Sequence, residues 1–182
     1  MSKTFTRFFT IADFEEEEKW LRDQHKNGWK LTKMVTPCFY TFEECEPEDV
    51  IYKLDYRDAE NKDEYFEMLR DFGWEYVGEC VGWFYFRKPA AEIESEEDGE
   101  LLSDNESRAE QVGLILRTRL APLALIFLCC VMPNFLKVLD GEYIGTWGKI
   151  YSLFFSLMFA VYVYLIVHCG LKLKQIKKRY DI

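Results

Sequence analysis

The stretch GWKLTKMVTPCFYTF at residues 28–42 returns in altered form as GWEYVGECVGWFYF at residues 73–86. In both copies a Gly-Trp pair is followed by a strand-like run, a turn and a second run rich in aromatic residues. The two Gly-Trp pairs stand 45 residues apart, and Trp20-Leu21 has its counterpart, Tyr65-Phe66, at the same separation. This pattern predicts two copies of one structural unit within residues 1–89.

Each copy has the features of a helix that ends at its Gly-Trp pair. Asp13 is a suitable N-cap, and the four glutamates Glu15–Glu18 suit the positive end of a helix dipole. Gly28 is expected to end the first helix and Gly73 the second, because a left-handed C-cap costs little only for glycine.

A strand is predicted before each helix, at residues 3–9 and at residues 50–56. The chain order is therefore strand, helix, strand, strand, repeated twice. We expect an α+β fold in which this duplicated β-α-β-β unit forms a two-layer structure, with one six-stranded sheet and two helices on one of its faces. Duplicated units of this order occur in small ligand-sensing domains, which by fold analogy alone points to a binding cleft between the halves.

Two uncharged stretches follow in the last third of the chain. Leu120–Leu136 has seventeen residues and Ile150–Leu171 has twenty-two, enough for helices about 26 and 33 Å long. A hydrocarbon core is about 30 Å thick, so these stretches are predicted to form two transmembrane helices rather than two buried core helices. Basic residues precede the first span and follow the second, so both termini are expected in the cytoplasm.

These patterns divide the chain into seven parts. The cytosolic domain with its internal repeat is expected at residues 1–89. The other parts are an acidic linker at 90–102 with little ability to fold, a juxtamembrane helix at 103–119, transmembrane helices at 120–139 and 150–171, an external loop at 140–149 and a basic cytosolic tail at 172–182.

Charge is distributed very unevenly along the chain. Residues 1–116 carry 14 Lys+Arg against 29 Asp+Glu, a net charge of −15, whereas residues 117–182 carry 9 against 3, a net charge of +6. Phosphate backbones repel an acidic domain, which argues against direct binding of nucleic acid. An acidic domain suits a partner protein with a basic surface, while the basic tail suits an anionic membrane surface.

The sequence contains no motif for catalysis, for a cofactor or for a metal. It lacks the glycine-rich phosphate loops, the nucleophile elbow and the H-E-x-x-H zinc motif. The two histidines, His25 and His168, lie far from any group of cysteines, and no C-x-x-C pair occurs. We therefore expect no enzyme. His25 and the glutamate pairs in Glu15–Glu18 and Glu43–Glu44 are predicted to lie at solvated surfaces.

Aromatic residues are the remaining candidates for a site. Such large rings either fill the core of a small domain or line an apolar pocket. Side chains alternate between the two faces of a strand, so some of Tyr40, Trp83 and Tyr85 are expected on the sheet face without helices. That face is a candidate surface for a partner. The candidate ligand or partner surface consists of Trp20, Trp29, Tyr40, Trp74, Trp83 and Tyr85.

Several short motifs are distributed over about residues 4–110. They are FxxxDFEEExxWL at 9–21, GWKL at 28–31, FYTF at 39–42, YKLDYRD at 52–58, GWEYVG at 73–78, WFYFRKP at 83–89 and SDNES at 103–107. Together they resemble the domain-of-unknown-function 2812 family, membrane proteins of Gram-positive bacteria. The resemblance implies a C-terminal membrane pair, a location in the bacterial cytoplasmic membrane and genes for PadR-type transcription regulators nearby. It also implies a regulatory role and no catalytic residue.

The leading hypothesis is a non-enzymatic, membrane-anchored regulatory or sensory protein whose acidic domain binds a partner protein. The resemblance implies that this partner is a PadR-type regulator. Two alternatives remain open. One is a small-molecule-binding module, with an aromatic cleft between the two repeats that takes an apolar or cationic ligand. The other is an accessory subunit of a larger membrane complex.

Overall fold

The structure of the protein is a computed structural model that describes residues 1–57, 62–95, 97–101, 105–143 and 145–179. These residues belong to two compact units, the first ending at Gln111 and the second comprising Val112–Arg179. Each unit is described by itself.

The first unit has the element order expected from the sequence. Two copies of strand, helix, strand, strand follow each other, so the α+β class and the duplicated β-α-β-β unit are confirmed. The elements are β1 (Ser2–Thr6), α1 (Phe14–Lys26), β2 (Trp29–Val35), β3 (Phe39–Glu44), β4 (Val50–Tyr56), α2 (Lys62–Asp71), β5 (Glu75–Cys80) and β6 (Trp83–Pro89).

The strands form two antiparallel sheets, not the single six-stranded sheet that we expected. Their strand orders are β1-β3-β2 and β4-β6-β5, so the last strand of each repeat lies in the middle of its sheet. The strands β2 and β5 lie next to each other, but each has a bulge at the repeat-equivalent place, between Leu31 and Lys33 and between Tyr76 and Gly78. Because a bulge bends and twists its strand, these bulges interrupt the regular backbone hydrogen bonding that would join β2 and β5 in one sheet.

Helix α1 packs against both sheets. Its residue Trp20 lies against the first sheet, with ring centroids 5.0 Å from Tyr40 and 5.6 Å from Phe42. Towards the second sheet, Phe14 lies 5.3 Å from the Trp83 ring. Leu21, between these two faces of the helix, is completely buried. The first helix is therefore the central element of the unit.

Helix α2 packs on the opposite face of the second sheet, so the expectation of two helices on one face is wrong. The ring of Phe66 lies 5.3 Å from Phe84 and 5.5 Å from Phe86. Leu69 and Trp74 complete this buried cluster. Successive residues of a strand point to opposite faces. The side chains of β6 are buried from Trp83 to Lys88 because a different helix covers each face.

Both repeats end their helix at the predicted glycine. Gly28 and Gly73 have φ angles of 82° and 83°, the left-handed conformation that costs little only for glycine. At the other end of α1, Asp13 occupies the N-cap position without a side-chain cap hydrogen bond. Its Oδ2 instead accepts hydrogen bonds from the backbone N–H and the hydroxyl of Thr10, at 2.9 and 2.6 Å.

The end of the acidic linker is ordered, contrary to the expectation that residues 90–102 have little ability to fold. The carboxylate of Glu100 lies between two cations, 2.6 Å from Lys53 Nζ and 3.1 Å from Arg108 Nη2. Leu101 packs against the apolar cluster around Phe84 and Phe86. The two ion pairs of Glu100 and the apolar contact of Leu101 therefore fix the end of the linker to the domain.

The second unit consists of two long helical segments. The first, which begins in the first unit, comprises α3 (Asn105–Ile115), α4 (Ala121–Ile126) and α5 (Met132–Leu139), joined by wide π-type turns at Leu116–Leu120 and Phe127–Val131. Each wide turn precedes a proline, Pro122 or Pro133, whose ring and missing N–H disturb the preceding turn.

The second segment is a single helix, α6 (Gly145–Arg179), of 35 residues. Phe135 of α5 stacks on Phe159 of α6, with ring centroids 4.0 Å apart. Among the described residues, Ser107–Leu139 and Gly145–Arg179 are the two helices long and apolar enough to cross a membrane. At 1.5 Å per residue they are about 50 and 52 Å long, more than the hydrocarbon core requires.

Candidate functional site

A carboxyl group lies in the middle of the first unit. Glu17, on α1, is only 6% exposed, and its helix face continues with Leu21 and His25, which is 5% exposed. The sequence predicted solvated positions for Glu17 and His25, and this prediction is wrong for both. The reason is that α1 is covered by sheets on two sides, so its acidic first turn has a buried face.

Two tyrosines from different repeats donate hydrogen bonds to the same oxygen of Glu17. Tyr40 Oη, on β3, lies 2.9 Å from Oε1 and Tyr85 Oη, on β6, lies 2.6 Å from it. No described residue hydrogen-bonds the other oxygen, Oε2. Since no side-chain oxygen of the described part of the chain is both buried and unpaired, Oε2 keeps contact with solvent. We call Glu17, Tyr40 and Tyr85 the Glu17 site.

Burial has the largest effect on the pKa of Glu17. It raises the pKa of Glu17, and the hydrogen bonds from Tyr85 and Tyr40 act in the opposite direction. The nearby charge of Asp13 raises the pKa of Glu17 further. Burial and the Glu17 carboxylate also raise the pKa of both phenols, so Tyr40 and Tyr85 remain hydrogen-bond donors.

Aromatic rings continue the site towards the surface on the side of the first sheet. Trp20 lies 5.0 Å from Tyr40 and 5.7 Å from Phe9. The guanidinium of Arg7 lies over the outer rings, with its Cζ 5.0 Å from the centroid of Phe9 and 5.2 Å from that of Trp20. The side chain of Arg7 is exposed. This aromatic wall therefore already binds a cation that belongs to the chain itself.

The structure divides the six predicted site residues into separate groups. It brings together Trp20, Tyr40 and Tyr85 around Glu17. Trp83 lies two residues from Tyr85 on the same strand and packs against Tyr56. Trp29 packs against Phe5 on the first sheet, and Trp74 belongs to the core cluster under α2. Tyr40, Trp83 and Tyr85 are all buried, because α1 covers the face that the sequence left open.

A second polar cluster lies one residue further along α1. Lys53 Nζ lies 3.5 Å from Glu18 Oε2, in addition to its contact with Glu100. Glu18 Oε1 accepts a hydrogen bond from the N–H of Leu54 at 2.9 Å. Burial raises the pKa of Glu18 to about 7, although the charge of Lys53 acts in the opposite direction. This cluster joins α1 and β4 to the linker and, through Arg108, to α3.

A third buried polar group lies at the other end of α1. His25 Nδ1 and Tyr52 Oη are hydrogen-bonded at 2.8 Å. Arg87 donates from Nη1 to the carbonyl of Leu31 at 3.2 Å and forms a two-bond ion pair with Glu75. Burial, together with the charge of Arg87, lowers the pKa of His25 to about 4, so this imidazole is neutral at pH 7. These contacts tie the first repeat to the second.

The Glu17 site was missed by reasoning from the sequence, although a signal for it exists. Glu17, Leu21 and His25 are spaced by four residues, so they share one face of a helix. Leu21 marks that face as buried. The acidic run Glu15–Glu18 masks this signal, because four consecutive glutamates resemble a solvated first turn.

Metal chemistry finds no support in the described ranges of the chain, where no group of three or more His, Cys, Asp or Glu side chains could hold a metal ion.

The model of a family described as "Protein of unknown function (DUF2812)" matches residues 13–124. That match covers more than half of the chain, from the start of α1 into the first membrane-length helix. Neither the curated proteins nor the solved structures contain a significant match to this chain.

Proposed function

We propose that this chain, which belongs to the DUF2812 family of proteins of unknown function, is a non-enzymatic regulatory protein that is anchored in a membrane. The observation that carries this proposal is the covalent connection of a folded unit to two helices long and apolar enough to cross a membrane. In the sequence as a whole, the part up to residue 116 is strongly acidic and the part after it is basic. In this arrangement the helices anchor, and the acidic unit recognises a partner.

The proposed orientation puts both ends of the chain in the cytoplasm of a bacterium. Arg117 and Arg119 flank the first apolar stretch, and Lys177, Lys178 and Arg179 end the second helix. Positive residues near membrane spans favour the cytoplasmic side. With two spans, the acidic unit is then also cytoplasmic.

The surface proposed for the partner protein is the end of β3 together with its connection to β4. Glu43, Glu44, Glu46 and Glu48 are all exposed there, and we call them the acidic segment. Among the described residues, the cation within salt-bridge distance of this segment is the amino terminus, 3.7 Å from Glu44 Oε2. Four carboxylates with a single cation at that distance in the described part of the chain produce a strong negative electrostatic potential, which attracts a basic partner. A PadR-type regulator, which binds DNA through a basic surface, fits this requirement.

A second candidate function is the binding of a small molecule, and the Glu17 site is the specific observation that favours it. The site combines residues of both repeats, and one oxygen of its carboxylate has no partner in the described part of the chain. Binding is a better account than catalysis, because the groups bound to Glu17 are phenols with raised pKa rather than an activated nucleophile. The two functions are compatible, since a ligand could control the partner.

The partner function is tested by flotation of lipid vesicles that contain the full chain with a purified PadR-type regulator. We expect the regulator to float with the vesicles at about 50 mM salt and to be released at about 500 mM, because salt screens exposed charges. The variant E43Q/E44Q/E46Q/E48Q removes the acidic segment and is expected to lower retention at least about tenfold, the loss of about 1.4 kcal/mol of binding free energy.

The matched control removes four charges elsewhere. D63N/E64Q/E67Q/D71N neutralises four exposed carboxylates on α2 and is expected to retain the regulator. Equal losses in both variants would mean that only net charge matters, and retention that is insensitive to salt and to both variants would exclude the acidic segment as the docking surface.

A further inference from the structure

We propose that the Glu17 site binds a small organic cation, in which a quaternary ammonium or a similarly weakly hydrated group is attached to an apolar body. The inference rests on the second candidate function above and adds the chemical class of the ligand. It is independent of the partner-binding function.

The charge requirement follows from the carboxylate. Glu17 Oε1 already accepts two hydrogen bonds, at 2.9 and 2.6 Å, whereas Oε2 is available in the described part of the chain. A buried carboxylate without a counterion is costly. Its own helix N-terminus and the two phenols stabilise the ionised form in part, and a bound cation would complete that stabilisation. An anionic ligand is excluded by the same charge, to which nearby Asp13 adds.

The shape and chemistry of the ligand follow from the rings. The rings of Trp20, Tyr40 and Phe9 pack on one another, edge to face or tilted, with centroids 5.0–6.2 Å apart. A weakly hydrated cation gains more from such faces than a strongly hydrated one, because less water has to be removed. Arg7 demonstrates this property of the wall, since its guanidinium lies over Phe9 and Trp20. A ligand cation would reach Glu17 at Oε2, the oxygen that keeps contact with solvent, beside these rings.

The second repeat supports this interpretation by contrast. The residue 45 positions after Glu17 is Lys62, and the residue 44 positions after Tyr40 is Phe84. Lys62 Nζ lies 4.8 Å from the centroid of the Phe84 ring. At this equivalent place the chain itself supplies a cation above an aromatic ring. The first repeat has the carboxylate of Glu17 there instead, and its chain-derived cation, Arg7, lies over the outer rings of Phe9 and Trp20. A cation from outside would therefore be the counterpart of Lys62 at Glu17.

The test is a calorimetric titration of the full chain in lipid nanodiscs, with empty nanodiscs subtracted. The probe is benzyltrimethylammonium, and its neutral counterpart is 2,2-dimethyl-3-phenylpropan-1-ol, in which a carbon replaces the charged nitrogen and one methyl group carries a hydroxyl. We expect the cation to bind at least tenfold more tightly than the alcohol. E17Q, whose amide oxygen still accepts from both tyrosines, is expected to lose at least tenfold in affinity for the cation and little for the alcohol.

The control variant is E64Q, which removes an exposed carboxylate of α2 and is expected to leave both affinities within twofold. Tryptophan fluorescence of each variant verifies that the domain remains folded. Equal affinity for the cation and the alcohol would overturn the cation assignment and leave a small-molecule site in place. Absence of cation binding up to about 10 mM, or an unchanged affinity in E17Q, would overturn the assignment of the Glu17 site altogether.

Discussion

The variant E18Q is expected to become more stable relative to the wild type by about 3 kcal/mol as the pH rises from 4.5 to 7. Glu18 has an ordinary pKa of 4.5 when unfolded and a pKa of about 7 in the folded protein. A raised pKa means that the folded state holds its proton longer. The contribution of Glu18 to the free energy of unfolding of the wild type is therefore fully present below pH 4.5 and is lost as the pH rises to 7. Glutamine has no proton to lose, so E18Q does not show this loss.

His25 provides the matched comparison, with the opposite sign. Its pKa is lowered from 6.5 to about 4 on folding, so the wild type loses stability as the pH falls from 6.5 to 4. H25N, which keeps an acceptor near Tyr52 Oη, is expected to become more stable relative to the wild type by about 3 kcal/mol as the pH falls through this range. E64Q, which removes an exposed carboxylate of α2, is the control for both variants.

Urea titrations of the full chain in lipid nanodiscs, followed by tryptophan fluorescence at several pH values, measure these differences. Trp20, Trp29, Trp74 and Trp83 all belong to the first unit, so the signal reports mainly on its unfolding. A difference between E18Q and the wild type that does not change between pH 4.5 and 7 would mean that the Glu18 carboxyl is solvated, contrary to the structure.

The variant F86A is expected to lower the free energy of unfolding of the first unit by about 3–5 kcal/mol. Phe86 is 1% exposed, and its ring contacts those of Tyr65, Phe66 and Tyr76 at centroid distances of 6.2, 5.5 and 5.7 Å. Truncation to alanine removes these contacts and leaves a cavity between α2 and the second sheet, which rigid strands cannot close.

Phe72 is the matched control for this substitution, because it is a phenylalanine 64% exposed at the end of α2. F72A is expected to change the free energy of unfolding by less than about 0.5 kcal/mol. The same urea titration compares the two variants with the wild type. Similar costs for F86A and F72A would show that α2 does not cover the face of the sheet that carries Phe86.

The local features of the fold were readable from the sequence, and its three-dimensional arrangement was not. The Gly-Trp repeat located both helices and their C-terminal glycines, because a left-handed residue is a local requirement. Alternation in β6 shows which residues share a face, but it does not show which helix covers that face. The run Trp83–Phe86 consists entirely of aromatic residues, a pattern typical of a strand covered on both sides.

The candidate site was predicted only in part for the same reason. Tyr40 and Tyr85 were among the predicted aromatic residues, yet nothing local in the sequence connects them to Glu17. Their convergence depends on the position of α1 between the two sheets. The repeats are therefore equivalent in element order and different in their surroundings, and Lys62 in the place of Glu17 shows that their chemistry has diverged as well.

Membrane anchoring is the claim on which the proposed regulatory role depends. The most direct measurement is extraction with alkaline carbonate of membranes from cells that produce the full chain. We predict that the intact chain stays in the membrane pellet and is released only by detergent, because two long apolar helices hold it in the bilayer. Recovery of the intact, folded chain in the aqueous fraction without detergent would contradict the account.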